Sequence, residues 1–382
     1  MAQFIDWGSG KEGNLTISAG NLGGVGGFGV ATFTGTSGNN YGTFSDVGYF
    51  NGGNGGRVGD LCIIHQSQGT GAGNWEIVRI TNRSGTTVYF DRNLTNTYVS
   101  GAQIQSAPNL NGGTISGNLG PYTAWNGSTG GIIFIVDKGT LTVSGTISVN
   151  ASGFRAGASV GNDNARRTGQ QGEGTIGGLA VSVSAAGNGG GGGQGIGSGD
   201  FATGGSGGGN GTAGTAGAHE SGKPVSYPGS TAGVTGLTTM VFGGGGGSNG
   251  TGPRTTSSVA GGKGAGIILI FAKAITITGT ISLTGGNGTT STGEYYSTSG
   301  SGAGGSCLIK CQTGVLGTNK ITANGGTTPS AWNSLTGGSG GAGRIHCDYF
   351  TSVSGSTNPT LSSAQDLTLT VPEGGNFIPF FM

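Results

Sequence analysis

Four cysteines, three histidines and fifteen carboxylates are the side chains of this 382-residue chain with the most chemical potential. Cys307 and Cys311, with His346 and Cys347, could supply four zinc ligands. In strands, however, Cys307 and Cys311 face one way and His346 and Cys347 face opposite ways, so four-fold ligation would need an irregular turn. Small buried hydrophobes in adjacent layers are the better account, and no metal or other cofactor is expected. A Cys311–Cys347 bridge stays open if the protein matures outside a cell, since sequence does not fix connectivity.

Glycoside hydrolysis needs two carboxylates about 5 to 9.5 Å apart, one of them raised in pKa. The acids here are scattered singly. Asp137 sits at a strand end, and Asp163, Glu173, Asp200, Glu220 and Glu294 fall in glycine-rich stretches, where solvated turn roles are usual. His65, His219 and His346 occupy unrelated contexts, which gives a Ser-His-Asp triad little support; His65 and His346 sit in strand patterns and read as structural. A non-enzymatic protein is expected. Matches to G-x-G-x-x-G carry no information about nucleotides in so glycine-rich a chain.

The elements that hold these residues are dictated by glycine, 93 of 382 residues against a usual share of about 7%. The glycines cluster, as in GGGGG, and there are only nine prolines, which excludes collagen. Sixteen basic and fifteen acidic residues leave a net charge of +1 without a basic block, which argues against nucleic-acid binding. No run approaches the ~20 apolar residues of a membrane helix. Disorder of the whole chain conflicts with patterned strands: IIFIV at 132–136, IILIF at 267–271 and ITIT at 275–278.

Residues 1 to about 110 carry less glycine and show strands separated by turns (58–65, 75–80, 86–90), which predicts a small antiparallel barrel or sandwich. From about 111 to 382 the chain repeats itself. Residues 131–149 align with 266–283 with a one-residue deletion, and weaker copies begin at Gly305 and Gly343. Such units cannot bury an apolar face alone, so stacking is implied. The shared AWN context of Trp125 and Trp332 suggests a repeated plug. Residues 154–263 hold the densest glycine runs. They are either a slack insertion or a lattice of packed polyglycine II helices, extended threefold helices that bond only to neighbours. Runs recur directly beside the strand copies (Gly264 to Gly266, Gly302 to Gly305, Gly337 to Gly343), which favours the lattice. The predicted class is therefore all-β: a small β module followed by a stacked, solenoid-like region with polyglycine II helices.

The series VGDL at 58–61, QGTGAGNWE at 68–76, FDRNLTNTY at 90–98, WNGSTGG at 125–131 and GTIS at 145–148, followed by GGGGG blocks, resembles a family of glycine-rich surface proteins. These occur among bacteriophage tail-fibre and virion proteins and in some bacterial cell-surface and gliding-motility proteins. The resemblance covers roughly residues 58 to 350 and implies kinship in principle with phage tail-tip adhesins that bind receptors through loops between polyglycine II helices. The segment MAQFIDWG at the start lacks the pattern of an export signal, which shifts the expectation from a cell surface to a virion component made in a host cytoplasm.

On that footing the expected function is rigid display: loops on a glycine scaffold touching a host carbohydrate or protein, with residues 1–110 joining other virion proteins. The display candidates are Arg155, Arg166, Arg167, Phe201, His219, Tyr227, Tyr295 and Tyr296, isolated large or charged residues in glycine-rich loops. Phe377, Ile378, Phe380 and Phe381 form an uncharged apolar cluster expected to be covered by the chain itself or by another subunit. A self-assembling shell or filament subunit is the alternative, and a glycan-degrading enzyme would require two carboxylates facing each other in a groove.

Overall fold

The computed structural model describes residues 6–22, 29–45, 58–161, 166–195, 203–218, 226–252, 257–292, 296–331 and 335–370. The described residues are all-β, with no helix, so none long and apolar enough to cross a membrane. β1 (Thr16–Asn21) is followed by six strands, β2 (Val30–Gly35), β3 (Tyr41–Phe44), β4 (Leu61–Gln66), β5 (Trp75–Ser84), β6 (Thr87–Phe90) and β7 (Ala102–Ser106). These six close into an antiparallel barrel in the order β2-β3-β6-β5-β4-β7. Alternation fills its interior with Phe33, Ile64, Val78, Phe90 and Tyr98, and the rings of Phe90 and Tyr98 each lie 5.9 Å from that of Phe33.

The remaining strands are β8 (Asn109–Leu110), β9 (Thr114–Gly120), β10 (Ile132–Val143), β11 (Thr146–Ser148), β12 (Ile267–Ile277), β13 (Thr280–Ser282), β14 (Ser306–Thr322), β15 (Arg344–Asn358) and β16 (Ser362–Gln365). They form one parallel sheet, joined by β1, which pairs with β9 although it precedes the barrel in sequence. The repeats are neighbours in it: Ile132 pairs with Ile267 and Val136 with Phe271. The one-residue deletion seen in the sequence is a register shift between Asp137 and Thr140, opposite Ala272 and Ala274.

The apolar runs of β10 and β12 are continuous because both of their faces are covered. Ile133, Ile135, Ile268 and Ile270 enter one core. Ile132, Phe134, Ile267 and Leu269 enter a second, against Leu61 and Ile63 on the outside of the barrel wall. β4 is correspondingly buried at every position. At the register shift, buried Asp137 accepts backbone N–H groups of Gly112, Gly113 and Gly139 at 2.7–2.8 Å, anchoring the chain that bulges there.

The glycine-rich segments bond by a different rule. The amides of Gly244, Gly247 and Gly250 donate to the carbonyls of Gly209, Ser206 and Thr203; those of Gly245, Ser248 and Thr251 donate to Glu173, Gln170 and Arg167; those of Gly243 and Gly246 donate to Ala265 and Gly262. One extended pass thus addresses three neighbours in rotation and meets each at every third residue. Side chains cannot fit between passes so close. A Cβ on Gly244, Gly245, Gly246 or Gly247 would overlap the carbonyl oxygen of Asn188, Arg155, Gly300 or Gly191 respectively. None of these four has a left-handed φ, so glycine is required there by space, not by backbone conformation.

Candidate functional site

Between residues 161 and 166, 195 and 203, 218 and 226, 252 and 257, 292 and 296, and 331 and 335 the chain connects one described stretch to the next. The described residues at the bases of these connections are bonded to one another. The Thr251 amide donates to the Arg167 carbonyl, Gly250 to Thr203, Thr203 to Gln194, Gly204 to Ala218, Ala218 to Thr336 and Thr298 to Leu335. Side chains add to this: the Arg167 amide donates to Thr251 Oγ1 at 3.1 Å, and Asn249 Nδ2 donates to Ser297 Oγ at 2.8 Å. The stems of all six connections therefore meet at one end of the layer, the end remote from the strands.

Arg166 and Arg167 stand exposed at this end, and Tyr296, 36% exposed, adjoins Ser297 on the same rim. Tyr227, 59% exposed, is carried elsewhere: its amide donates to the Val183 carbonyl and its own carbonyl accepts the Gly191 amide, so it leaves from the flank of the layer. Phe201, His219, Tyr295, Trp332, Phe377, Ile378, Phe380 and Phe381 lie outside the described residues, as do Asp163, Asp200, Glu220 and Glu294.

Arg155 and Glu173 meet at the opposite, strand-facing end. Glu173, expected in a solvated turn, is 2% exposed and holds three parts of the molecule together. Its carboxylate accepts Trp125 Nε1 at 3.0 Å, the Arg155 amide and guanidinium at 2.9–3.0 Å, and Gln68 Nε2 of the barrel at 3.1 Å. The pairing raises the Arg155 pKa, the hydrogen bond to Glu173 outweighing partial burial. Glycine neighbours supply no side chains to answer these donors, so one buried carboxylate answers them all. Trp125 is wedged against Phe154 and Phe242 at ring separations of 6.2 and 5.4 Å.

A cleft of about 250 Å3 opens where the barrel overhangs the sheet, and Asp6, Glu76 and Asp366 all line it with Trp75 and Phe271. Each carboxylate is engaged locally. Glu76 accepts the amides of Thr95 and Asn96 at 3.1 Å, Asp6 accepts the Gly8 amide at 2.9 Å and the Arg79 guanidinium, and Asp366 accepts the Thr368 amide and hydroxyl. These bonds tie all three carboxylates to backbone or side-chain donors, and Lys310 lies 3.9 Å from Asp366 in the same cleft.

His65 is fully buried, with Nε2 donating to the Met240 carbonyl at 2.8 Å and Nδ1 beside Ser67 Oγ at 2.9 Å. Burial lowers its pKa to about 4, against a smaller upward pull from the Met240 bond, so the ring is neutral. The four cysteines are buried free thiols. Cys307, Cys311 and Cys347 share one core, with the sulfurs of Cys311 and Cys347 3.9 Å apart. His346 points from the other face of the sheet, as its alternation with Ile345 and Cys347 requires.

No family model and no curated protein sequence matches the chain. Among solved structures, a match is found to the Gp54 tailspike of Acinetobacter baumannii bacteriophage AP22 in complex with A. baumannii capsular saccharide. It spans 92% of this chain and 62% of the tailspike at 9% identity, with a TM-score of 0.20. A score this low equates neither fold nor residues.

One constellation escaped the sequence reading. In the register of β15 and β16, His346 pairs with Ser362, and His346 Nδ1 lies 3.0 Å from Ser362 Oγ. His346 Nε2 lies 3.0 Å from Asp348 Oδ1, and Asp348 Oδ2 accepts Lys310 Nζ at 2.6 Å. His346 and Asp348 alternate on one strand, which is the only trace of the group in the sequence; the serine arrives from the next strand.

Proposed function

We propose that this protein is a virion surface component, a tail-fibre or tail-tip adhesin whose glycine layer is a lattice of polyglycine II helices beside a solenoid-like stack of strands. The observation that carries the reading is the meeting of six loop stems at one end of a layer bonded with a repeat of three. The repeat matches a helix with three residues per turn and no internal hydrogen bonds. Such a lattice fixes loop ends at small entropic cost to binding, because the scaffold is ordered before a receptor arrives. Arg166, Arg167 and Tyr296 on the rim suit contact with a host glycan or surface protein, arginine by forked hydrogen bonds and tyrosine by flat amphipathic area. In this reading the barrel, packed against both the sheet and the strand-facing end of the layer, attaches to other virion proteins.

The test is adhesion of the purified protein to a panel of bacterial cells, compared with a variant carrying Arg166→Ala, Arg167→Ala and Tyr296→Ala. Adhesion that the variant loses, with its melting temperature unchanged, supports the reading. Symmetric self-assembly into a shell or filament by a protein that adheres to nothing refutes it.

A further inference from the structure

The Ser362, His346 and Asp348 chain of hydrogen bonds ends at an opening. Ser362 lines a recess of about 150 Å3 together with Arg344, Thr212, Thr235 and Pro359. β16 is an edge strand, paired only with β15, so Ser362 is partly exposed while His346 is 5% exposed behind it. We propose that Ser362 is the nucleophile of an esterase site for short-chain carboxylic esters, with His346 as its general base and Asp348 as the group that orients the imidazole.

The proton positions follow from the partners. Partial burial acts to raise the Asp348 pKa, but the hydrogen bonds from His346 and Lys310 outweigh it and the net shift is downward. An ionised Asp348 only accepts, so the ring proton sits on Nε2 and the Nδ1 lone pair faces the Ser362 hydroxyl. In the familiar serine hydrolases the two nitrogens have swapped roles. Roles and distances define such a triad, and either imidazole nitrogen can take the proton.

Ser362 Oγ attacks the ester carbonyl carbon as its proton moves to His346 Nδ1. The oxyanion forms in the recess that Arg344 lines; this guanidinium is fixed by the carbonyls of Ala232 and Gly233 at 3.2–3.4 Å. Collapse breaks the ester C–O bond, the alcohol leaves with the proton from Nδ1, and an acyl-Ser362 remains. Water then gives a proton to the same nitrogen, attacks the acyl carbon and releases the carboxylic acid, returning the proton to Ser362. The sum is ester plus water to acid plus alcohol. The recess, about 150 Å3, is small, which suits a short acyl group.

The test is labelling of the intact protein with a fluorophosphonate, peptide mapping by mass spectrometry, and hydrolysis of p-nitrophenyl acetate. The expected result is one adduct on Ser362, absent in Ser362→Ala, with labelling and hydrolysis slowed about 10²- to 10⁴-fold in Asp348→Asn and His346→Gln. Circular dichroism checks that each variant is folded; Ser362→Ala, at a sheet edge, serves should the His346 variant not fold. No adduct on Ser362 in the folded protein, or hydrolysis that Ser362→Ala leaves unchanged, overturns the proposal. So does a purely structural outcome, in which the variants lower the melting temperature of a protein that is inert towards both probes.

Discussion

Gly244→Ala tests whether the glycine layer is a packed solid. The added methyl would run into the carbonyl of Asn188, which also accepts the Gly209 amide, so the intruder meets backbone that cannot rotate away. One pass must shift. Gly244 donates to Gly209 at 3.0 Å and accepts from Ala303 at 2.9 Å, and a shift breaks both bonds. At about 1 kcal/mol for each lost bond and about 1–3 kcal/mol for overpacking, the cost is roughly 3–5 kcal/mol. That is a large share of the ~5–15 kcal/mol that keeps a domain folded. It corresponds to about two to four powers of ten in amide protection, at ~1.4 kcal/mol per decade. The assay is hydrogen exchange by mass spectrometry on peptides covering 240–252, where every amide from Gly243 to Ser248 is bonded. Gly236→Ala is the control. Nothing lies within 4 Å of its Cβ position and its φ is not left-handed, so the substitution should be neutral or stabilise by about 0.4–1 kcal/mol. Protection in Gly244→Ala equal to that of the parent protein would refute close packing, and the rigid platform with it.

Three further outcomes are expected. His65 has a folded pKa of about 4 against an ordinary 6.5, so its neutral form contributes stability above pH 6.5 that is lost as the pH falls towards 4. Urea melts should lose roughly 3 kcal/mol across that window, and His65→Gln should flatten the loss. Glu173→Ala leaves the Trp125 indole N–H and the Arg155 amide unpaired, while the Arg155 guanidinium, 40% exposed, turns to water, and a drop in stability of about 2–4 kcal/mol is expected in the same melts. The four thiols should resist an aromatic disulfide reagent until the protein unfolds. Burial pushes the Cys307 thiol up to about 12, and contact with Cys311 and burial raise Cys347 further. Fast titration of any thiol in the native state contradicts the described core.

The strands were legible because burial leaves a local trace. The unbroken run at 132–136 announces two covered faces, and the one-residue mismatch that follows it, 137–140 against 272–274, is the register shift beside Asp137. The barrel was legible from alternation and turns at 58–90. β1 was not, since its partner lies nearly a hundred residues on, beyond the whole barrel. Glu173 was misjudged for a related reason. Glycine neighbours look like solvent-exposed turn in a sequence, and only packed passes make that stretch interior. The Ser362, His346 and Asp348 group depends on which residue of β16 lies opposite His346, a register that no local pattern encodes.

The layer's cohesion resides in atoms that all amino acids share, yet its spacing admits only the smallest of them at many points. Substitution inside it is therefore nearly closed, while described rim residues such as Arg166, Arg167 and Tyr296 already carry large side chains in the open. Diversity in this molecule would accumulate at that rim and not beneath it. A foreign peptide spliced between residues 252 and 257 should accordingly be presented by anchored stems without disturbing the body that holds it.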